Sequence, residues 1–513
     1  MSGSRSSRGR HYGVRSLIPG RLFALWLPPG ALAVVFTAAA LFWISYRLAT
    51  RHRFHRGAIA IAIAALLIRA YAGADLALHP WDERYHALVA KNLIANPLVP
   101  TLRADPVLDY DFRNWASNHV WLHKPPLALW MQAASMRVFG VSEWPMRFPS
   151  LVFSTSAVAT TYAIGRVLLS PHVGLLAAAF HAVHGFSVDL SAGRRATDHV
   201  DTLLIFIVET GLLLGLLALR RHPRAAGVVL GVAVGLAYLT KSFAGLLMLP
   251  IWAAWRLQTT RAGSIARELG IAACVGTAVA APWTIYTMRT FPLESAYEGA
   301  EALRHITEVI ENQGGPPWTF LWEMPRFFGE LVWIPLGAAA LLVMKGGGTA
   351  AHTALLLWIA IPYALFSMFA TKMPAYVMVA APAIFLLQAD FWLRLRAHRD
   401  GVVTWTRRAL LGACLFLLAL LPARYLLGPT GPLERRDRNP EWSRQLRALN
   451  QQIGARHAVI FSVPSHVETM FYTPYVAYDF PPTAAQADDL RRRGYDVYVF
   501  ADGVAIPFRA HTE

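Results

Sequence analysis

The sequence has few charged residues for its size. Only 15% of its 513 residues are charged, whereas 55% are hydrophobic and the mean hydropathy is +0.38. Soluble globular domains average about 25% charged residues, which they need to cover their surface. The composition therefore excludes a soluble globule and predicts a protein with many membrane-spanning segments.

Cysteine is almost absent, and so are the short motifs of several enzyme classes. Cys274 and Cys414 lie inside apolar segments, without the CxxC or Cys/His spacing of a zinc site, so neither a disulfide nor a cysteine metal site is expected. The chain has no Walker loop, dinucleotide fingerprint, GxSxG or HExxH motif, which excludes the usual soluble-nucleotide and protease chemistries. The basic N-terminus has no short apolar segment with a small-residue cleavage site, so no removable signal peptide is expected.

The net charge of +17 does not indicate a nucleic-acid partner. The arginines occur in short clusters between apolar segments rather than along one helix face, and no RNA-binding motif accompanies them. Short cytoplasmic loops of membrane proteins collect Lys and Arg, so these clusters report topology.

About twelve segments are long and apolar enough to cross a hydrocarbon layer, which takes about 20 residues of helix. They cover residues 23–46, 57–76, 143–168, 172–191, 198–219, 225–240, 243–257, 266–289, 325–344, 351–370, 373–394 and 407–428. Glycines four residues apart, such as Gly227 and Gly231, predict close packing between helices.

The basic clusters assign a side of the membrane to each connection. If 47–56 is cytoplasmic, the other basic connections fall on the same side by alternate counting. The predicted outer segments are 77–142, 192–197, 241–242, 290–324, 371–372 and the region from 429. One segment disagrees with the rule: if 23–46 spans, the basic residues before it also lie outside, although Pro28 and Pro29 would let the helix start late.

Composition divides the chain into three parts. Residues 1–56 are a basic N-terminus with an extra apolar segment, 57–428 a transmembrane core, and 429–513 a small α/β domain outside the membrane. In the last part, the patterns predict helices and strands in alternation, namely a helix at 440–454, a strand at 457–463, a helix at 484–494 and a strand at 495–501. We expect this domain to pack on the same face as the outer segment 77–142.

Two adjacent acids, Asp82 and Glu83, follow directly after an apolar segment. The residues after them, Tyr85 to Leu93, repeat apolar side chains at helical spacing and predict a short helix in the membrane interface. Neighbouring residues of a helix point about 100° apart, so both acids cannot address one centre. Either one acts while the other positions it, or both are simply solvated at a helix end.

Other polar residues also lie at the outer ends of apolar segments. Lys124 precedes Pro125 and Pro126, which fix the backbone, and a lysine presented in this way suits a phosphate, although it could also snorkel. Asp198 and Asp201 begin a predicted span, either as capping acids or as part of a site.

Lys241 and Lys372 defy the charge bias expected for an outer face, which favours a ligand-binding role. In the outer segment 290–324, the residues 314–317 (Gly-Gly-Pro-Pro) predict a turn, and the aromatic residues that follow suit a membrane interface or a lid over a cavity.

Six motifs in order resemble a known family. They are WDERYHALVAKNL, HKPPLALWMQAASMRVFGVSEWPMRFPSLVFS, ATDHVDTLLIF, YLTKSFAGLLMLP, APWTIYTMR and FATKMPAYVMVAAPAIFLL. Together, across roughly 57–394, they resemble the bacterial polyprenyl-phosphate-sugar glycosyltransferases of the GT-C fold, which include the aminoarabinose transferase of lipid A and relatives of protein O-mannosyltransferases.

The resemblance implies an all-α polytopic membrane protein with about 11–13 transmembrane helices. It implies an undecaprenyl-phosphate-linked sugar donor, transfer with inversion to a lipid, glycan or protein acceptor, and a site on the periplasmic face of the bacterial inner membrane. The C-terminal domain would share that face. The alternative class is a transporter or lipid flippase, but transporters tend to show repeated halves and this sequence has no convincing internal repeat.

The resemblance also implies roles for single residues. Asp82 would be the general base, with Glu83 or Asp198 orienting it or helping to bind a divalent metal ion. Asp82 and Glu83 are the possible ligands of such an ion. Attack at the anomeric carbon expels a phosphate, so cations matter more than a general acid. The candidates for the donor phosphate are Lys124, Lys372 and Arg289, and further candidates for substrate binding are Lys241, Glu301, Arg304, His305 and Tyr376. Where relatives often have an acid before the first lysine, this chain has His123.

Overall fold

The computed structural model describes residues 27–397, 405, 408–409, 411–412, 425–426, 431–454 and 456–509. The helices in these residues are α1 (Pro29–Thr50), α2 (Phe54–Ala72), α3 (Asp82–Leu93), α4 (Pro126–Phe139), α5 (Glu143–Leu168), α6 (Pro171–Ala182), α7 (Gly185–Ser191), α8 (Asp198–Leu219), α9 (Pro223–Lys241), α10 (Met248–Leu257), α11 (Ala262–Thr290), α12 (Pro292–Thr307), α13 (Thr319–Phe328), α14 (Trp333–Met344), α15 (Ala350–Ser367), α16 (Ala381–Ala397), α17 (Glu441–Ile453), α18 (His466–Tyr472) and α19 (Ala484–Arg492). Short 3-10 segments at Ser242–Leu247 and Pro374–Ala380 precede α10 and α16.

The described chain has eight helical segments that are long and apolar enough to cross a membrane, or ten if two bent pairs each count as one span. The bent pairs are α6 with α7, at 60°, and α13 with α14, at 110°. The predicted spans 172–191 and 325–344 are therefore broken helices rather than straight ones. The predicted span 407–428 lies almost entirely outside the described residues. The prediction of a multi-pass membrane protein is confirmed.

Helix α1 begins at Pro29, later than the predicted span 23–46. Proline suits the first position of a helix, because its missing N–H would have no intrahelical partner there. Large apolar side chains such as Phe36 and Trp43 stay exposed on α1, as expected of a helix that faces lipid.

Close helix contacts at glycines show that the chain crosses the membrane once more between the end of α9 and the start of α11. A side chain at Gly227 would contact the backbone of Glu268, and one at Gly235 would contact the backbone of Gly276, so the two helices run parallel. Parallel neighbours require a return between them, which residues 242–257 supply. By length and hydropathy, Pro223–Leu257 counts as a single candidate membrane span. The parallel packing of α9 and α11 instead supports two spans in this range, as the sequence predicted.

The C-terminal region forms a small mixed sheet with strand order β2-β1-β3-β4. Strand β1 (Ala458–Phe461) pairs in parallel with β2 (Val476–Ala477) and with β3 (Asp496–Ala501), and β3 pairs antiparallel with β4 (Val504–Pro507). The two predicted strands and two predicted helices of this region are confirmed. Helix α18 and strands β2 and β4 were missed. Helix α18 and strand β2 have only seven and two residues, too few for a periodic pattern, and β4 ends in a proline.

Helix α3 shares one hydrophobic core with the C-terminal domain. Leu88 and Leu93 are buried in the same cluster as Leu446 and Met470. Lys91 extends this contact, since its ammonium donates to the carbonyl groups of residues 470, 471 and 473 at the end of α18. The apolar face of α3 is therefore covered by protein, which corrects the prediction that it lies in the membrane interface. The boundaries after residues 56 and 428 stay predictions.

Candidate active site

The first turns of helices α3 and α8 lie side by side, and the first residue of each helix is an aspartate. Asp82 is the first residue of α3, and Asp198 is the first residue of α8. The residues just before them, Trp81 and Thr197, adopt positive φ angles of 74° and 64°, which are uncommon for residues other than glycine. The backbone N–H of Thr197 donates to Asp82 Oδ2 at 2.7 Å and so joins the two helix starts.

Asp82 faces Lys124, which precedes α4. The ammonium of Lys124 lies 4.0 Å from Asp82 Oδ2, and both side chains keep about a seventh of their surface exposed. This separation is too long for a hydrogen bond, so both groups remain available to a third molecule. Burial would raise the pKa of the Asp82 carboxyl, but the charges of Lys124, His86 and His123 hold it well below its usual range.

Glu83 has a different environment from its neighbour Asp82. It is fully buried, and Arg147 of α5 donates to both carboxylate oxygens, at 2.6 and 2.9 Å. His79 Nδ1 lies 2.8 Å from Glu83 Oε2. Burial opposes ionisation, but Arg147 holds the pKa of the Glu83 carboxyl well below its usual range. Glu83 is therefore engaged in a structural ion pair, which suits positioning and does not suit direct contact with substrate.

A close approach of the backbone supports this buried pair. Gly193 has φ at +75°, and an added side-chain carbon there would lie 2.0 Å from Glu83 Oε1. Only glycine can therefore occupy this position without displacing the Glu83 carboxylate. Arg147 also donates to the carbonyl groups of Gly73, Asp75 and Ala77, so one guanidinium fixes the whole connection between α2 and α3.

Asp198 is bound to a histidine rather than to a lysine. Its Oδ1 lies 2.9 Å from Nδ1 of His86, and both side chains are completely buried. His86 lies one helical turn after Asp82 on α3. The predicted site acid Asp198 therefore connects α8 to α3.

The acid of α8 that joins the cluster is Asp201. Its oxygens lie 2.6 and 2.7 Å from the ammonium of Lys241, at the end of α9. The same ammonium lies 5.1 Å from the ring centre of Tyr376, close enough for a cation–π contact. The sequence named Asp201 with Asp198 as either a capping acid or part of a site, but the family resemblance gave a role only to Asp198.

The outer segment 290–324 contributes two histidine contacts to the same place. His123 Nδ1 lies 3.1 Å from Glu298 of α12, and the His123 ring stacks on Trp115. His305 Nδ1 lies 3.1 Å from the hydroxyl of Tyr376. Burial, with the charges of Lys124, His123 and Lys241, lowers the pKa of His305 to about 4, so this ring is neutral at physiological pH.

Several predicted residues lie apart from this cluster. The ammonium of Lys372 donates to the carbonyl groups of Ser367 and Phe369 at the end of α15, so it caps a helix. Arg289 is exposed near the end of α11. Arg304 pairs with Glu301 at 2.6 Å on the exposed side of α12.

The acids do not fit the predicted metal site. Within the described part of the chain, no group of three or more His, Cys, Asp or Glu side chains is arranged to hold a metal ion. Glu83 is engaged with Arg147, and Asp82 accepts from Thr197 and faces the cation Lys124. A divalent ion beside Asp82 would therefore be repelled by the Lys124 ammonium, and the Glu83 carboxylate would not be free to coordinate it.

The comparisons with known proteins agree with this architecture. Residues 123–286 match the family described as dolichyl-phosphate-mannose-protein mannosyltransferase. An undecaprenyl phosphate-alpha-4-amino-4-deoxy-L-arabinose arabinosyl transferase from Pseudomonas fluorescens is 28% identical over 302 residues, which are 56% of this chain and 52% of the relative. One from Pseudomonas aeruginosa is 28% identical over 327 residues, which are 61% of this chain and 58% of the relative. The chain thus spans somewhat over half the length of these curated relatives.

Solved structures extend the similarity to most of the chain. ArnT from Cupriavidus metallidurans bound to undecaprenyl phosphate superposes with a TM-score of 0.60 at 17% identity, over 86% of this chain and 89% of that one. An oligosaccharyltransferase from Archaeoglobus fulgidus has a TM-score of 0.57 at 14% identity, over 86% of this chain and 69% of that one. At such identities the likeness establishes the fold. The resemblance to the polyprenyl-phosphate-sugar glycosyltransferases is therefore confirmed, and this chain has their GT-C fold.

Proposed function

We propose that this protein is a membrane glycosyltransferase that moves a sugar from a polyprenyl phosphate to an acceptor, with inversion at the anomeric carbon. The observation that carries the proposal is the convergence of an ionised carboxylate, Asp82, with two lysines, Lys124 and Lys241, at the joined starts of α3 and α8. The named relatives suggest the donor class, an undecaprenyl-phosphate-linked amino sugar.

The cations would hold the phosphate of the donor. The bond between the anomeric carbon and the phosphate oxygen breaks during transfer, and the phosphate leaves with an additional negative charge. Lys124 is the best placed group, because its ammonium is partly exposed and its carboxylate partner among the described residues, Asp82, is 4.0 Å away. Lys241 is already neutralised by Asp201, so it would contribute less net charge.

Asp82 would accept the proton of an acceptor hydroxyl as that oxygen attacks the anomeric carbon. Its low pKa keeps it ionised at physiological pH, although a low pKa also makes it a weak base. A phosphate acceptor, as on a lipid A-like molecule, would need no base, and Asp82 would then orient the sugar. We assign Glu83 and Asp198 to positioning roles, because both have partners inside the fold.

The site would face the periplasm, on the side to which the sequence assigned the outer segments. Residues of the outer segments 77–142, 192–197 and 290–324 meet at this cluster: Asp82 and His123 from the first, Thr197 from the second, Glu298 from the third. The orientation can be tested with single cysteines introduced into these segments. A membrane-impermeant, thiol-reactive reagent added to intact spheroplasts should label them.

Transfer by the purified protein is the direct test. We expect liposomes that contain the protein, undecaprenyl-phosphate-linked 4-amino-4-deoxy-L-arabinose and lipid A to yield free undecaprenyl phosphate and lipid A of increased mass, by mass spectrometry. Envelope lipids and glycans from cells with and without the gene would identify a different sugar or acceptor. Passage of the lipid-linked sugar across the bilayer, with no new glycosidic bond in any of these assays, would favour a flippase instead.

A further inference from the structure

Thr197 occupies a costly conformation at the junction of two helices. It is the residue before α8, its φ is 64°, and its side chain is buried. β-Branched residues rarely adopt left-handed backbone angles, because the branched carbon crowds the backbone. Such strain persists only where the surroundings enforce it, and it tends to occur at functional sites.

Both polar groups of Thr197 bind acids of the cluster. Its backbone N–H donates to Asp82 Oδ2 at 2.7 Å, and its hydroxyl donates to Asp201 Oδ2. Asp201 in turn pairs with Lys241. One residue therefore ties the carboxylate of α3 to the ion pair between α8 and α9.

Contacts on both sides hold Thr197 in this conformation. On one side, Asp198 is bound to His86 of α3. On the other side, Arg194 donates to Asp189 of α7 at 2.9 Å. These two connections hold both ends of the segment 194–198, in which the N–H of Thr197 donates to Asp82.

We propose that Thr197 is a positioning residue for the reaction, one that fixes Asp82 relative to the Asp201–Lys241 pair. This inference rests on the proposed function. Its hydroxyl keeps the Asp201 carboxylate oriented, and its left-handed backbone aims the N–H at Asp82. Neither group needs to touch the substrate, and loss of the hydroxyl leaves the charges of Asp201 and Lys241 in place. The loss therefore affects the rate of transfer more than the capture of donor.

The test compares three substitutions of Thr197 with one at Thr202. T197V and T197G remove the hydroxyl, with and without the branched side chain, whereas T197S keeps it. T202V removes a hydroxyl of the same helix that bonds to the backbone of Asp198, and it serves as the matched control. Steady-state transfer from the lipid-linked sugar gives kcat and donor KM, and gel filtration in detergent checks folding.

We expect T197V and T197G to lower kcat by roughly ten- to a hundredfold, since each loses a hydrogen bond to a charged group. Donor KM should stay within about twofold, and T197S and T202V should match the unmodified protein. Equal kcat in T197V and T197S would overturn the inference while transfer itself stands. A rise in donor KM without a fall in kcat would also overturn it. If the unmodified protein transfers no sugar, the proposed function and this inference both fall.

Discussion

Helices α3 and α8 each have two acids in their first turn. The acid that lies beside a lysine is the first of the two in α3 and the second in α8. In α3 the first acid, Asp82, reaches the cation cluster and the second, Glu83, is buried against Arg147. In α8 the first acid, Asp198, is buried against His86 and the later one, Asp201, reaches Lys241. Each helix start thus has one acid beside a lysine and one acid bound to a different partner, Arg147 or His86. Position in the helix does not decide which, because the partners come from other helices.

The largest expected effect is on Asp82. We expect Asp82→Asn to lower transfer by about a hundredfold or more, the contribution typical of a general base, while the protein stays folded. Transfer to a hydroxyl acceptor and thermal unfolding would be measured on the same preparation. Unchanged transfer in a well-folded variant would remove Asp82 from the chemistry and leave the orienting role of the acids.

Substitution of Glu83 should show the reverse pattern, with a larger effect on stability than on activity. Glu83→Gln leaves the buried guanidinium of Arg147 without its charge partner, and such a loss costs about 3–5 kcal/mol of unfolding free energy. We expect a lower melting temperature in detergent and lower expression. The activity per folded molecule should fall less than in Asp82→Asn. If Glu83→Gln were stable and inactive, the division between the two acids would be wrong.

The two acids of α8 should differ in the same way. Asp201→Asn removes the charge that neutralises Lys241, so donor binding should change, whereas Asp198→Asn can keep a hydrogen bond to His86. We expect a change of donor KM of about tenfold in the first variant and of less than about threefold in the second. Titration of undecaprenyl phosphate against each protein would check the binding component separately.

The influence of Lys124 on Asp82 can be tested through the pH dependence of transfer. Its charge holds the pKa of Asp82 below the usual range, so transfer by the unmodified protein should not fall as the pH drops from 7 to about 5. Lys124→Met removes that charge and raises the pKa of Asp82, so protonation at higher pH should bring an acidic limb into the profile. Donor KM should rise as well, by about tenfold. An unchanged profile would mean that Lys124 does not act on Asp82.

The smallest effect is expected at the exposed ion pairs of α12. Arg304 pairs with Glu301 and Glu308 on the surface of this helix. Exposed pairs of this kind contribute about 0–1 kcal/mol, so Arg304→Gln should alter neither unfolding nor kcat by more than about twofold. A large rise of donor KM in this variant would restore the predicted substrate-binding role of Arg304.

Much of the fold was accessible from the sequence because it follows from local patterns. Apolar segment length gave the spans, and period-two or helical patterns gave the main elements of the C-terminal domain. Failures occurred where tertiary contacts override such patterns. The apolar face of α3 is the same pattern whether it meets lipid or protein, and only the packing of α3 on α18 decides between them. Lys372 illustrates the same limit, since its ammonium caps α15 instead of facing the cations.

By itself, the sequence determined that this is a multi-pass membrane protein, the order of its motifs and the stretches in which the acids of the candidate site lie. Only the tertiary structure decided which acid of each pair lies beside a lysine, because the deciding partners are distant in sequence. Arg147 lies 64 residues after Glu83, and Asp198 lies 112 residues after His86. Helix geometry separates neighbouring side chains by about 100°, but what each side chain meets depends on which helix packs there.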